Sequence, residues 1–187
     1  MFDKSHFFEK LYFHELDRKH SIESSLSLVT GIIAGLFGLV GYLFTHFRFG
    51  SSEYSFNFVV ELIFLFSSAA SFLLLVAAAW WCSRAVVGSA YEHLPGAETM
   101  TGYLAELLQW HHTIDSEKPL ELATSDFEEF LITSYAKCSQ INWKTNLLRA
   151  EELFRTKRAT VWALFSLAAA ALSYYINFWN TPPSIVP

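Results

Sequence analysis

The chain is expected to be an all-α membrane protein that crosses the bilayer three times, with a helical cytoplasmic region whose last helix is continuous with the third span. Three observations predict this. Of 187 residues, 52% are hydrophobic and only 17% charged, with a mean hydropathy of +0.28, which is more apolar than an ordinary soluble domain. Three apolar runs reach or exceed the roughly 20 residues that a transmembrane helix needs. Lys and Arg are distributed unevenly between those runs, and that asymmetry sets a direction of threading.

Composition also excludes several classes. A net charge of −5 argues against an overall basic surface for reading phosphates, so no direct nucleic-acid partner is expected. Two cysteines, Cys82 and Cys138, are too few for a disulfide scaffold or a Cys-rich zinc site.

The N-terminal segment, residues 2–20, places Phe7, Phe8, Leu11, Tyr12 and Leu16 at helical spacings between charged residues. This predicts an amphipathic helix that either packs on the cytoplasmic region or lies along the membrane surface. Residues 26–47 contain no Lys, Arg, Asp or Glu, and as a helix they would span about 33 Å. A secretory signal carries its apolar core soon after a short basic start, whereas here 25 residues come first, so this span is expected to persist. Residues 56–82 form the second run and hold one acid, Glu61; residues 159–179 form the third, with Ser166, Ser173 and Asn177 as its clearly polar members.

Four basic residues precede the first run, one (Arg48) lies between the first and second, eight lie between the second and third, and none follows. Lys and Arg resist translocation, so the N-terminus and residues 84–158 should be cytoplasmic, with the loop near Gly50 and the tail at Thr181, Pro182 and Pro183 outside. Trp80 and Trp81 on one side, and Tyr174, Tyr175 and Trp179 on the other, suit the interfacial belts. The expected organisation is therefore residues 1–25 as a cytoplasmic amphipathic helix, 26–83 as a hairpin of two spans, 84–158 as a cytoplasmic helical region, 159–180 as the third span and 181–187 as an external tail.

Within the cytoplasmic region, breaks at Leu94-Pro95-Gly96 and Lys118-Pro119 predict helices near 84–93 and 98–112 and then a long helix opening at Ser125. Ser125 and Glu128 have capping-box spacing. From there Phe127, Leu131, Ser134, Cys138, Ile141, Thr145 and Leu148 recur at alternating steps of four and three, the period of a packing seam. Neither Gly nor Pro occurs between Ser125 and Asn180, so a rod running into the third span is expected. Residues 84–136 carry two basic against nine acidic groups, and residues 137–158 six basic against two acidic. The two stretches can attract each other or their counterparts in a neighbouring subunit, while Arg155, Lys157 and Arg158 are also placed as the positive-inside rule and anionic lipids favour.

Few constellations carry chemistry. His14, Asp17 and His20 could line one side of a helix as metal ligands, but the spacing is loose and solvated polar side chains are the better account. His111 and His112 are adjacent and point about 100° apart on a helix. No Gly-rich phosphate loop and no nucleophile elbow occurs. No catalytic residue, metal or cofactor is assigned, and the chain is not expected to be an enzyme. Glu61 stands out because an ionisable group in a span is costly; it either sits near the outer surface at a helix N-terminus, or lines a pore or pairs with Arg48. Gly31, Gly35 and Gly38 fall on one helix face at steps of four and three. There a neighbour's backbone can approach closely, either the second span of the same chain or the first span of another subunit. Asn142, Asn146 and Arg149 form a polar face that suits either phosphate or nucleotide recognition or hydrogen bonding between helices.

Two closely spaced spans, a short helical cytoplasmic region ending in an Asn-x3-Asn-x2-Arg face, and a terminal span together resemble the small multi-spanning membrane effectors of bacterial anti-phage defence systems, including the two-span SLATT-type effectors. The third span departs from the two-span plan. The resemblance implies a homo-oligomeric protein of the bacterial inner membrane, with its N-terminus cytoplasmic and its C-terminus periplasmic. Such a protein would permeabilise or depolarise the membrane when triggered by a soluble protein or a nucleotide second messenger. Gly31, Gly35, Gly38 and Glu61 would then serve pore assembly, and Asn142, Asn146 and Arg149 sensing. The alternative is a non-conducting membrane scaffold that docks a soluble cytoplasmic partner.

Overall fold

The computed structural model describes residues 3–49, 55–87, 90–114 and 117–180. Among them the secondary structure is helical without strands: α1 (Lys4–His46), α2 (Ser55–Val86), α3 (Ala97–Ile114) and α4 (Pro119–Asn180). Gly50 and residues 181–187, which the threading argument placed outside, lie beyond the described residues. Three helices, α1, α2 and α4, are long and apolar enough to cross a membrane.

Helix limits follow local chemistry. The Asp3 carboxylate accepts from the His6 amide at 3.1 Å, which satisfies one of the donors left open at the start of α1. Pro119 opens α4, where its missing N–H costs nothing and its fixed φ suits the first turn; Leu122 donates to the Lys118 carbonyl at 3.3 Å. The long helix therefore starts six residues earlier than Ser125, which lies inside it. The expected helix near 84–93 is also absent as such: α2 ends at Val86, and residues 90–96 are not helical. Pro95 disfavours helical backbone in the residue before it, and a polar anchor described below holds the segment.

The chain divides into two compact units, Met1–Ile22 with Ser89–Leu148, and Glu23–Gly88 with Arg149–Pro187. This division is by packing and falls a few residues from the hydropathy limits.

In the first unit, α1 turns Tyr12 and Glu15 inward while Phe7 and Leu11 stay exposed. Tyr12 meets Tyr135 of α4 edge-on, with ring centroids 5.6 Å apart. Tyr103 of α3 packs on Phe130 of α4 at 4.7 Å. On α4 the buried positions here are Ala123, Cys138, Ser139, Asn142 and Asn146. The expected seam through Ile141, Thr145 and Leu148 is displaced by one residue; Leu148 is exposed, and the line facing inward is polar.

The second unit is a three-helix bundle. Its buried positions are Leu26, Val29, Ile33, Val40 and Leu43 on α1, Phe47 just after it, and Val60, Phe64, Ser68, Ser71, Leu75, Ala78, Cys82 and Ala85 on α2. On α4 they include Arg149, Leu153, Thr156, Thr160, Ala163, Leu167 and Ala170. Steps of three and four residues give each helix a stripe of period 3.5, the pattern of close helix pairing. Small side chains let backbones approach: Ser71 donates to the Ala163 carbonyl at 3.1 Å. Phe47 stacks on Phe64 at 3.8 Å and Thr30 contacts Cys82 at 3.3 Å, so α1 and α2 run antiparallel. The outside is apolar as well, with Leu28, Phe66, Leu73 and Phe165 exposed. A helix bundle that is hydrophobic all round requires apolar surroundings.

Candidate functional site

The Asn-x3-Asn-x2-Arg pattern is divided between the units, with Asn142 and Asn146 in the first and Arg149 in the second. Each has an identifiable set of partners.

Asn142 is fully buried. Its side chain accepts from the Glu92 amide and donates to the Glu92 carbonyl, both at 3.0 Å. A side-chain amide thus plays the part of a second peptide group toward a backbone that has left the helix, satisfying the backbone N–H and C=O of Glu92. Thr145 adds a bond to the Ala90 carbonyl at 3.2 Å. Asn146, also fully buried, donates to the Glu15 carbonyl at 2.8 Å and to the Glu15 carboxylate at 2.9 Å, and accepts from the Tyr91 hydroxyl at 2.6 Å. Glu15 is itself buried, with the Arg18 guanidinium 3.8 Å away. The Lys19 ammonium lies 4.6 Å from the centre of the Tyr91 ring, within cation–π range. The two asparagines therefore crosslink α1, the segment after α2 and α4 inside this unit.

Arg149 is buried in the second unit. Its Nε donates to the Ala85 carbonyl at 2.9 Å, in the last turn of α2, where unpaired carbonyls and the helix dipole favour a cation. Its Nη1 lies 3.4 Å from the Glu23 carboxylate of α1. One guanidinium thus ties all three helices of the bundle near one end. Close to it, Arg84 pairs with Glu152 at 3.3 Å, and Arg155 with Glu151 at 2.6 Å. At the other end Asn177 donates to the Arg48 carbonyl at 3.3 Å.

Against protein-family models, curated proteins and solved structures, the chain matches none. The geometry is therefore the only guide to the site.

Gly31, Gly35, Gly38 and Gly41 have nothing within 4 Å of where a Cβ would stand. Gly31 and Gly35 are each two residues from the buried Ile33, about 200° around the helix, so the stripe faces away from the bundle's own core. The described residues of this chain leave it open. Glu61 is half-buried and falls three residues before the fully buried Phe64, which puts it in register with the inward line of α2.

Sequence reasoning missed one pair. His111 of α3 is buried and its Nε2 lies 2.9 Å from the Asp126 carboxylate of α4; only the adjacent histidines were visible, not the acid 15 residues on. Among the described residues, no three His, Cys, Asp or Glu side chains come together as metal ligands. Burial, followed by the charge of Glu92, pushes the Cys138 thiol up from its usual value. Burial, then Glu9 and Tyr12, does the same for the Tyr135 phenol.

Proposed function

We propose that the chain is a homo-oligomeric bacterial inner-membrane effector that permeabilises the membrane when triggered, in the setting of anti-phage defence that its architecture resembles. The observation that carries this reading is the open glycine stripe on α1. Lipid gives no hydrophobic drive for helix association, so a face of glycines exposed along a span is useful chiefly where another backbone comes close. A second copy of α1 supplies such a backbone, and cyclic repetition of that contact builds a ring. In this reading the N-terminus and residues 84–158 are cytoplasmic, and the last cytoplasmic helix continues into the third span. That helix offers a mechanical route from a soluble trigger, whether a protein or a nucleotide, to the membrane. Glu61, half-buried on α2, is the acid that this reading assigns to the conducting path, because ionisable groups within a span are often functional.

Ion flux from dye-loaded vesicles tests the proposal. The wild-type chain, once activated, should collapse an imposed potential, and Gly35→Leu should lose that flux while remaining inserted. Flux unchanged by Gly35→Leu would remove the stripe from the account.

A second reading has its own support. In the first unit Trp110 and Ile114 of α3 and Leu120 of α4 are exposed, an apolar surface suited to a soluble partner. A non-conducting scaffold would co-purify with that partner and leave vesicles tight.

A further inference from the structure

On the outside of the three-helix bundle, Leu74 and Trp81 of α2 and Arg155, Arg158, Ala159 and Trp162 of α4 line an open cavity of about 370 Å3. The contacts from Arg84 to Glu152 and from Ser71 to Ala163 set α2 and α4 antiparallel here. Trp81 is therefore level with Arg155, and Leu74, about 10 Å away along α2, is level with Trp162. One end of the cavity is cationic and indole-lined, and the other is apolar.

The charges around it do not balance. Glu151 and Glu152 are the acids within reach, and they engage Arg84 and Arg155. Arg158 makes no ion pair among the described residues, and no acid lines the cavity. Arg155 and Arg158 immediately precede the apolar run at residues 159–179, and Trp81 closes the run at 56–82. That is the level of lipid phosphates when those runs cross a bilayer.

We infer that this cavity seats one anionic phospholipid, its phosphate on Arg158 and Arg155 and an acyl chain along Leu74, Ala159 and Trp162. Guanidinium groups match phosphate oxygens by charge-assisted, paired hydrogen bonds. A free phosphate would leave the apolar end empty, and a zwitterionic lipid would bring an ammonium to a cavity whose nearby acids, Glu151 and Glu152, are already engaged by Arg84 and Arg155. The inference rests on the membrane-spanning reading of these helices and not on permeabilisation.

Native mass spectrometry of the full chain in mild detergent tests it, with phosphatidylglycerol and phosphatidylcholine of identical acyl chains as probes and inorganic phosphate as competitor. One phosphatidylglycerol per protomer should be retained in preference to phosphatidylcholine. Arg158→Gln should weaken that retention about fivefold, the effect of removing roughly 1 kcal/mol of basic attraction. Lys157→Gln, an equal loss of charge that does not line the cavity, should leave it unchanged. Leu74→Trp, which fills the apolar end with both guanidiniums intact, should also reduce retention. Equal effects of the Arg158 and Lys157 substitutions, or full retention in Leu74→Trp, would overturn the site. Displacement by inorganic phosphate at the concentration of the lipid would overturn the lipid as its ligand. Alkaline extraction scores membrane insertion separately, so lost selectivity in an embedded protein refutes the cavity alone.

Discussion

Asn146 makes three side-chain hydrogen bonds, to the Glu15 carbonyl and carboxylate and from Tyr91. Truncating it would leave a buried carboxylate whose remaining ion-pair partner among the described residues is Arg18, 3.8 Å away. Asn146→Ala is therefore expected to cost about 3 kcal/mol, because stranded buried polar groups are expensive, and thermal melting in detergent followed by circular dichroism measures the loss. A change of under about 0.5 kcal/mol, typical of surface substitutions, would contradict this anchoring. Cys138 gives a pH prediction. Its raised pKa means that the fold favours the neutral thiol, so that contribution to stability is intact below the usual thiol pKa and is lost as pH rises through the raised one. Alkylation by iodoacetamide should accordingly be slower at pH 8 than in the denatured chain, and the rate should climb only at higher pH. The asparagine and arginine spacing was legible in the sequence; the partners were not, since Glu15 lies 131 residues from Asn146 and no local pattern encodes such a pairing.

At the scale of elements, the apolar runs stood out because hydropathy accumulates over more than 20 positions and needs no tertiary information. Helix ends did not, because several signals compete at each. Lys118-Pro119 read as a break and Ser125 with Glu128 as the start, whereas the helix opens at Pro119 itself. The seam on α4 was displaced because the inward positions Ser139, Asn142 and Asn146 are polar, and a search for apolar periodicity passes over a line held by hydrogen bonds. The glycine stripe yields an element-level prediction that separates folding from assembly. With nothing within 4 Å of a Cβ at Gly35, Gly35→Leu should leave the single chain folded, and even gain up to about 1 kcal/mol of helix propensity. The same substitution should block a close approach of a second α1. Circular dichroism and crosslinking on one sample distinguish the two effects, and a misfolded monomer would show that the stripe is packed within the chain.

For the whole molecule, three stripes of period 3.5 close one bundle on itself, while its outside stays apolar and its glycine face stays open. Those features suit helices long and apolar enough to cross a membrane, and the proposed assembly uses the open glycine face. Neither composition nor spacing specifies the trigger that the proposal invokes, because such recognition belongs to a surface and not to a local motif. The most direct test is the protein mass of the purified 21.3 kDa chain in mild detergent, by light scattering with the detergent contribution subtracted. The account predicts a discrete assembly of about four or more chains, enough to surround a central path; a monomer or dimer, with trigger present or absent, would contradict it.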